Sequence, residues 1–205
     1  MIRVLYRWEE TKPDSDKRFV ELWSHITRAI RAQIPGALGS LLLKTASDPH
    51  RFVALARWTS AELWAKGFEQ GPVDPVAAQA LNEIHPQATT KEVFEELTNL
   101  TTGAEHMTRV LYRWRVKPGT EKLVEPAWAQ LVREVRTNVE GSFGALLLRS
   151  VQDPHEFVAV SRWRSRDEWL QRSATFDSQA SELLSACRAS AISSEVLDEV
   201  EDLTV

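Results

Sequence analysis

Residues 3–8 read RVLYRW, and residues 109–114 read RVLYRW again. An internal repeat constrains every later assignment, so its extent is the first question to answer. When the chain is aligned with itself at an offset of 106 residues, which becomes 105 after one deletion, all eight tryptophans fall into four pairs, at 8/114, 23/128, 58/163 and 64/169. The two tyrosines pair as 6/112. Two copies of one unit therefore account for the whole chain of 205 residues.

The boundary between the copies falls in a polar stretch, NLTTGAEHM, at residues 99–107. Its glycine and its polar side chains are typical of a connection rather than of a helix or strand. We therefore assign residues 1–98 to the first unit, residues 99–107 to a linker and residues 108–205 to the second unit.

Each copy alternates between two hydrophobic periods. Val4, Tyr6 and Trp8 recur at every second residue, which predicts a strand, and the stretch after them is apolar at every third or fourth residue, which predicts a helix. Two strands separated by a DPH turn follow, then a second helical region and an acidic strand at 92–97 or 195–200. The order β-α-β-β-α-β predicts two tandem ferredoxin-like units of the α+β class.

A four-stranded sheet with both helices on one side leaves its other face bare, and two such sheets can bury these faces against each other. We therefore expect an intrachain pseudo-dimer, an α+β barrel that a single-unit protein builds only by dimerising. Further self-association of the whole chain is left open.

Solution X-ray scattering tests this packing. We expect the profile of one compact particle. Leu5, Val53 and Leu55 make the face of the first sheet that carries no helices apolar, and their counterparts do the same in the second sheet, so the two faces should pack together. A profile of two separate lobes joined by residues 99–107 would contradict the prediction.

The third strand of each copy predicts where a ligand can sit. In FVALARW, Phe52, Ala54, Ala56 and Trp58 share one face, so two small residues stand between two aromatic ones. This leaves space beneath the helices, walled by aromatic side chains, which suits a small molecule. The alternative is that large helix residues such as Trp23 fill the space, as interior close-packing favours.

The same residues carry a family resemblance. The stretch PGALGSLLLKTASDPHRFVALARWTSAELW, and EGSFGALLLRSVQDPHEFVAVSRWRSRDEW with it, resembles the antibiotic biosynthesis monooxygenase superfamily. The shared marks are a PG-x-x-G after the first helix, a DP turn and a strand that ends in W-x-S. The resemblance implies a dimeric α+β barrel and a chemistry that includes cofactor-independent oxygenation of polyphenols or anthrones, haem degradation, and some isomerisation or cyclisation.

The resemblance also implies site residues. Trp58 and Trp163 match the tryptophan that ends the third strand and lines the family's pocket, and the usual first-strand asparagine is replaced by tyrosine in both copies. A tyrosine hydroxyl can hydrogen-bond a substrate oxygen, although it cannot replace an amide. The candidate pocket residues are Tyr6, Trp23 and Trp58 in the first unit, and Tyr112, Trp128, Ser161 and Trp163 in the second. No catalytic residue is assigned.

Three functions remain open. The first is a cofactor-independent monooxygenase acting on an aromatic or polyphenolic small molecule that supplies the electrons itself. The second is a cyclase or isomerase in the same pocket, which needs a general base. The third is a non-catalytic barrel that binds a small ligand. In each case, replacing the two tyrosines by phenylalanine is expected to cost little stability, since only a hydroxyl is lost.

Composition excludes several other classes. A net charge of −4 with interspersed signs gives no basic surface for nucleic acid, and no apolar run approaches the ~20 residues of a membrane helix. The single cysteine, Cys187, and the absence of a secretory signal favour the cytoplasm.

The second helical region has no histidine of the kind that haem-degrading relatives use, and no metal-binding spacing occurs, so we expect neither metal nor other cofactor. His85 has no counterpart in the second copy and would favour the first if only one pocket works; the alternative is a solvated residue at a helix end.

Overall fold

The computed structural model describes residues 1–8, 15–48, 50–67, 69, 71–84, 88, 90–103, 107–171, 185 and 193–204. The chain folds as two compact units. Unit 1 comprises Met1–Phe94 together with Glu199–Val205, and unit 2 comprises Glu95–Asp198. His85 and Cys187 lie outside the described residues.

Unit 1 follows the predicted order of strands and helices. Its elements are β1 (Ile2–Trp8), α1 (Asp16–Gln33), β2 (Ala37–Thr45), β3 (Phe52–Trp58), α2 (Ala61–Lys66), α3 (Pro75–Ile84) and β4 (Thr90–Asn99), the last of which ends beyond this unit. β3 lies between β1 and β2 and is antiparallel to both. The second helical region is broken into α2 and α3 because the GPVDP segment at 71–75 interrupts it.

Unit 2 repeats this order. Its elements are β5 (Thr108–Arg115), α4 (Glu121–Asn138), β6 (Ser142–Ser150), β7 (Glu156–Trp163), helical residues 166–171 and β8 (Ser193–Asp202), the last of which ends beyond this unit. β5 pairs antiparallel with β7 and with β8, and β6 pairs with β7. The second helical region is capped at its start, since the Glu168 N–H donates to the Ser165 hydroxyl at 3.2 Å. The prediction of two ferredoxin-like α+β units is confirmed.

The compact units end at different residues from the sequence repeats. In unit 1, residues 199–204 lie beside β2, where the Leu203 N–H donates to the Ser40 carbonyl at 2.9 Å. In unit 2, residues 95–102 lie beside β6, where the Leu100 N–H donates to the Ala145 carbonyl at 3.0 Å. We call these two segments the exchanged strand ends, because each comes from the repeat that forms the other unit.

Helix α1 holds the exchanged strand end of unit 1 through its polar face. Glu201 accepts hydrogen bonds from the Ser24 hydroxyl and from the Arg28 guanidinium, the latter at 2.5 Å. The Arg31 guanidinium donates to the Leu203 carbonyl at 3.2 Å. These side-chain contacts add to the strand pairing, so the segment is an integral part of unit 1.

Both units need a glycine where the exchanged strand end arrives. The register of β2 on β3 shifts between Ala37 and Ser40, and that of β6 on β7 shifts between Ser142 and Ala145, as in a β-bulge. The bulges contain Gly39, with φ of +94°, and Gly144, with φ of +88°. A Cβ on Gly39 would lie 1.8 Å from the Leu203 carbonyl oxygen, and one on Gly144 would lie 2.0 Å from the carbonyl oxygen of Leu100. No other residue fits this approach without moving the backbone.

Candidate functional site

A cavity of about 170 Å³ lies within unit 1, between the sheet and its covering helices. For comparison, an engineered apolar cavity of roughly 150 Å³ holds one benzene molecule. The cavity is therefore of single-ring size. Its lining residues are Tyr6 and Trp8 of β1; Trp23, Ile26, Thr27 and Ile30 of α1; Ala37, Gly39 and Ser40 of β2; Ala54, Ala56 and Trp58 of β3; and Leu81 of α3.

The floor of the cavity is the small-residue pair on β3. Ala54 stands opposite Tyr6 on β1, and Ala56 stands opposite Ser40 on β2. Because alternate strand residues point to one face, the methyl groups of the two alanines and the ring of Trp58 lie on the helix side. The structure thus brings three of the predicted pocket residues, Tyr6, Trp23 and Trp58, to one cavity.

Tyr6 is one of the polar residues that line the cavity. Its hydroxyl oxygen accepts a hydrogen bond of 3.1 Å from the indole Nε1 of Trp64, at the start of the second helical region. A phenol has one donor proton and two acceptor lone pairs, so this bond orients the hydroxyl without using its proton. Burial raises the pKa of Tyr6 above its ordinary value, by more than the hydrogen bond from Trp64 lowers it. Tyr6 therefore remains a protonated hydrogen-bond donor at neutral pH.

A positive charge stands beside this tyrosine. The ammonium of Lys91 lies 4.5 Å from the ring centroid of Trp64 and 6.0 Å from that of Tyr6. Both are cation–π distances, and the charge favours negative charge that develops on a nearby oxygen. The residue that corresponds to Lys91 in the second copy is Ser194, which carries no charge.

Ser40 contributes a hydroxyl that the sequence analysis did not identify. Only 5% of the residue is exposed, and its Oγ has no hydrogen-bond partner among the described residues. Leaving a buried hydroxyl unpaired costs about 1–3 kcal/mol, so such groups are rare in folded proteins. In the sequence, this serine is distinguished only by the difference between the two copies, since the corresponding residue of the second copy is Ala145.

In unit 2, the corresponding positions form a buried cluster. Tyr112, Trp128 and Trp163 pack there with the α4 residues Leu131, Val132 and Val135. The Tyr112 hydroxyl accepts a hydrogen bond of 2.9 Å from Trp169, as its counterpart does in unit 1. Thr27 of the unit 1 cavity is replaced by Val132, so an apolar side chain stands where a hydroxyl lines the wall.

Ser161, the remaining predicted pocket residue, has structural partners in unit 2. Its hydroxyl accepts a hydrogen bond of 2.8 Å from the indole Nε1 of Trp163 and donates to the Val110 carbonyl at 3.4 Å. The seven predicted residues therefore fall into two groups that lie in different units. The group in unit 1 lines the cavity described above, and Tyr112, Trp128 and Trp163 of unit 2 belong to a hydrophobic cluster.

The model of the antibiotic biosynthesis monooxygenase family matches residues 1–70 and residues 107–181, which together exceed half of the chain. The protein belongs to this family. The two matches correspond to the two repeats, so the protein is a family member with two units in one chain. Among curated proteins, none matches the sequence at a significant level.

Solved structures similar to this family member extend over nearly its whole length. An anthrone oxidase-like protein has a TM-score of 0.73 and 16% identity, and the match covers 98% of this chain and 92% of that one. A proposed monooxygenase from Fusobacterium nucleatum subsp. nucleatum has a TM-score of 0.72 and 14% identity, with coverages of 98% and 93%. A major regulator of staphylococcal pathogenesis has a TM-score of 0.56 and 10% identity, with coverages of 97% and 99%.

At these identities the similarity establishes the fold alone. The same fold occurs in a proposed monooxygenase and in a regulator of pathogenesis, so the function of this family member has to be argued from its own site. Among the described residues, no three His, Cys, Asp or Glu side chains form a group that can hold a metal ion. None of the described helices has the length and apolar character that crossing a membrane requires.

Proposed function

We propose that this protein is a cofactor-independent monooxygenase that oxidises a small phenolic aromatic molecule in the cavity of unit 1. The observation that carries the proposal is a single-ring cavity with aromatic walls and one oriented phenol donor, Tyr6. Membership of a family of monooxygenases supports the reaction class.

The reaction balances without an external reductant. A phenol with a free para position combines with one dioxygen molecule to give a para-quinone and water. One oxygen atom enters the ring, the other leaves as water with the two hydrogen atoms that the substrate loses, and the substrate supplies the electrons. The protein has to bind the ring, exclude bulk water and stabilise negative charge on the phenolic oxygen.

The residues of unit 1 supply the ring binding and the charge stabilisation. The rings of Trp23 and Trp58 and the alanine floor hold the aromatic ring, and dioxygen, which is apolar, enters the same surroundings. Tyr6 donates a hydrogen bond to the phenolic oxygen, and the positive charge of the Lys91 ammonium beside Tyr6 stabilises negative charge that develops there.

The cyclase or isomerase alternative needs a general base at the ligand. The described residues that line the cavity include no carboxylate, histidine or lysine. This favours oxygenation, because an electron-rich phenol transfers electrons to dioxygen without a dedicated protein base.

Isotope labelling tests the proposal. The purified protein is mixed without oxygen with a panel of phenols and anthrones, and ¹⁸O₂ is then admitted. We expect a product that contains one ¹⁸O atom, with a rate that Tyr6→Phe lowers roughly 2- to 10-fold, the effect of one hydrogen bond. Tyr112→Phe should leave the rate unchanged, because that tyrosine lies in a packed cluster.

Tyr112→Phe is also the stability control. Each substitution leaves a half-buried tryptophan N–H, that of Trp64 or Trp169, without its acceptor, so both variants should lose roughly 1 kcal/mol of stability. This revises the expectation from sequence that the hydroxyl can be removed at little cost in stability.

In the labelling experiment, binding of a phenol without any product would favour the non-catalytic alternative, and an isomerised product without ¹⁸O would favour the cyclase or isomerase. Equal rate losses in both variants would remove Tyr6 from the mechanism.

A further inference from the structure

Ser40 is placed in the cavity wall by an irregularity of β2. The bulge at Gly39 breaks the register between Ala37 and Ser40, and both Gly39 and Ser40 line the cavity. Bulges re-aim side chains and recur beside functional sites. The hydroxyl that results is buried and has no hydrogen-bond partner among the described residues.

In the second copy, the serine of the equivalent cross-strand pair, Ser161, has a structural role. In unit 1 the cross-strand pair is Ser40 on β2 with Ala56 on β3, and in unit 2 it is Ala145 on β6 with Ser161 on β7. Both pairs consist of one serine and one alanine, but the serine is on β2 in unit 1 and on β7 in unit 2. Ser161 is hydrogen-bonded to Trp163 and Val110, whereas Ser40 faces the cavity with no such partner. Packing therefore accounts for Ser161 and does not account for Ser40.

We propose that Ser40 is a specificity-determining residue of the unit 1 site, and that it hydrogen-bonds a second oxygen of the aromatic ligand. This inference rests on the proposed function, in which Tyr6 binds the first oxygen. The second oxygen is the one that oxygenation adds at the para position, so Ser40 selects phenols whose free para carbon lies at its edge of the cavity, and hydroquinone is the reduced analogue of the para-quinone product.

The positions of the two hydroxyl groups lead to this ligand shape. β1 and β2 flank β3, and Tyr6 and Ser40 pair with Ala54 and Ala56 respectively, two residues apart on that strand. Strand spacing and rise place their Cα atoms roughly 10–12 Å apart on one face of the sheet. Tyr6 and Ser40 thus flank the alanine floor on opposite sides, so a ring that lies on the floor has one of these residues at each edge.

Binding of two probes without oxygen tests this assignment. Phenol has one oxygen, and hydroquinone, which stays reduced without oxygen, has two. In calorimetric or NMR titrations we expect the wild-type protein to bind hydroquinone about 3- to 10-fold more tightly than phenol, the effect of one extra neutral hydrogen bond. Ser40→Ala should remove this preference by weakening hydroquinone alone.

Stability measurements separate ligand binding from a structural role. Removal of a hydroxyl without a partner should leave the melting temperature of Ser40→Ala unchanged or raise it. The matched control is Ser161→Ala, which should lower the melting temperature because Trp163 loses its acceptor, and should leave the binding of both probes unchanged. The double variant S40A/A56S, which copies the unit 2 arrangement, should lose the preference for hydroquinone while remaining folded.

The outcomes that overturn the assignment are distinct. If wild-type protein and Ser40→Ala both bind the two probes with the same preference, the Ser40 assignment is wrong and the phenol site proposed above stands. If the wild-type protein binds neither probe, both proposals fail. A structure of the hydroquinone complex in which Ser40 Oγ contacts only an ordered water would also overturn the assignment.

Discussion

Gly39→Ala should destabilise unit 1 by about 2–5 kcal/mol, a large effect for the replacement of one hydrogen atom by a methyl group. Forcing alanine to a φ of +94° costs roughly 1–2 kcal/mol. The new Cβ would lie 1.8 Å from the Leu203 carbonyl oxygen, so the exchanged strand end has to move away. The hydrogen bond from Leu203 to Ser40 is then lost, at about 0.5–1.5 kcal/mol, and the apolar side chain of Leu203 loses contacts worth a similar amount.

Gly119→Ala is the matched control. Gly119 has a φ of +90°, but a Cβ there would meet nothing within 4 Å, so only the backbone strain is introduced. Urea unfolding should show a loss of roughly 1–2 kcal/mol for Gly119→Ala and a clearly larger loss for Gly39→Ala. Gly144→Ala should resemble Gly39→Ala, because its Cβ meets the Leu100 carbonyl. Equal losses at Gly39 and Gly119 would mean that the exchanged strand end contributes nothing to the stability of unit 1.

Ala54→Leu should abolish most ligand binding while leaving the fold intact. The added side chain enters the cavity of about 170 Å³ and takes the room of the ring. Because overpacking costs 1–3 kcal/mol, the affinity for a one-ring phenol should fall roughly 10- to 100-fold. The free energy of unfolding of the ligand-free protein should change by less than about 1 kcal/mol, since the methyl and methylene groups of the new leucine gain contacts in space that was empty.

The same substitution in unit 2 gives the control. Ala159 is the counterpart of Ala54 and belongs to the packed cluster of Tyr112 and Trp163. Ala159→Leu should therefore destabilise the protein by about 1–3 kcal/mol and leave phenol binding unchanged. Melting temperatures and phenol titrations of the two variants measure both effects. Equal destabilisation by the two leucines, with phenol binding retained in Ala54→Leu, would show that the unit 1 cavity is not the ligand site.

The repeat and its periodicity were enough to predict the fold class from sequence. RVLYRW alternates at period two in both copies, and the helix that follows repeats every third or fourth residue, so the order of elements is a local property. The side of the sheet that holds the cavity was also predictable, because alternation along FVALARW places Ala54 and Ala56 on the face of Trp58.

The polar part of the site was not predictable, because it depends on contacts between distant parts of the chain. The hydrogen bond from Trp64 to Tyr6 joins a helix to a strand 58 residues earlier, and no local pattern indicates it. The sequence does not place Ser40 at the site, since a bulge changes which face a residue occupies without changing the composition of the strand. The boundaries of the units depend on strand pairing in the same way. The polar stretch at 99–107 predicts a linker, yet Leu100 and Thr102 pair with the edge of β6.

The exchanged strand ends impose an order on folding during synthesis. The residues that complete unit 1, 199–204, are made only after the whole of unit 2, so Leu203 meets Ser40 across about 160 residues of chain. At roughly 5–20 residues per second, translation needs about 5–20 s between Phe94 and Glu199. During that interval the nascent unit 1 has an uncovered edge at β2, the kind of strand that pairs with other chains. On the ribosome, unit 2 is therefore the first of the two to be completed, and the unit that holds the cavity is the second.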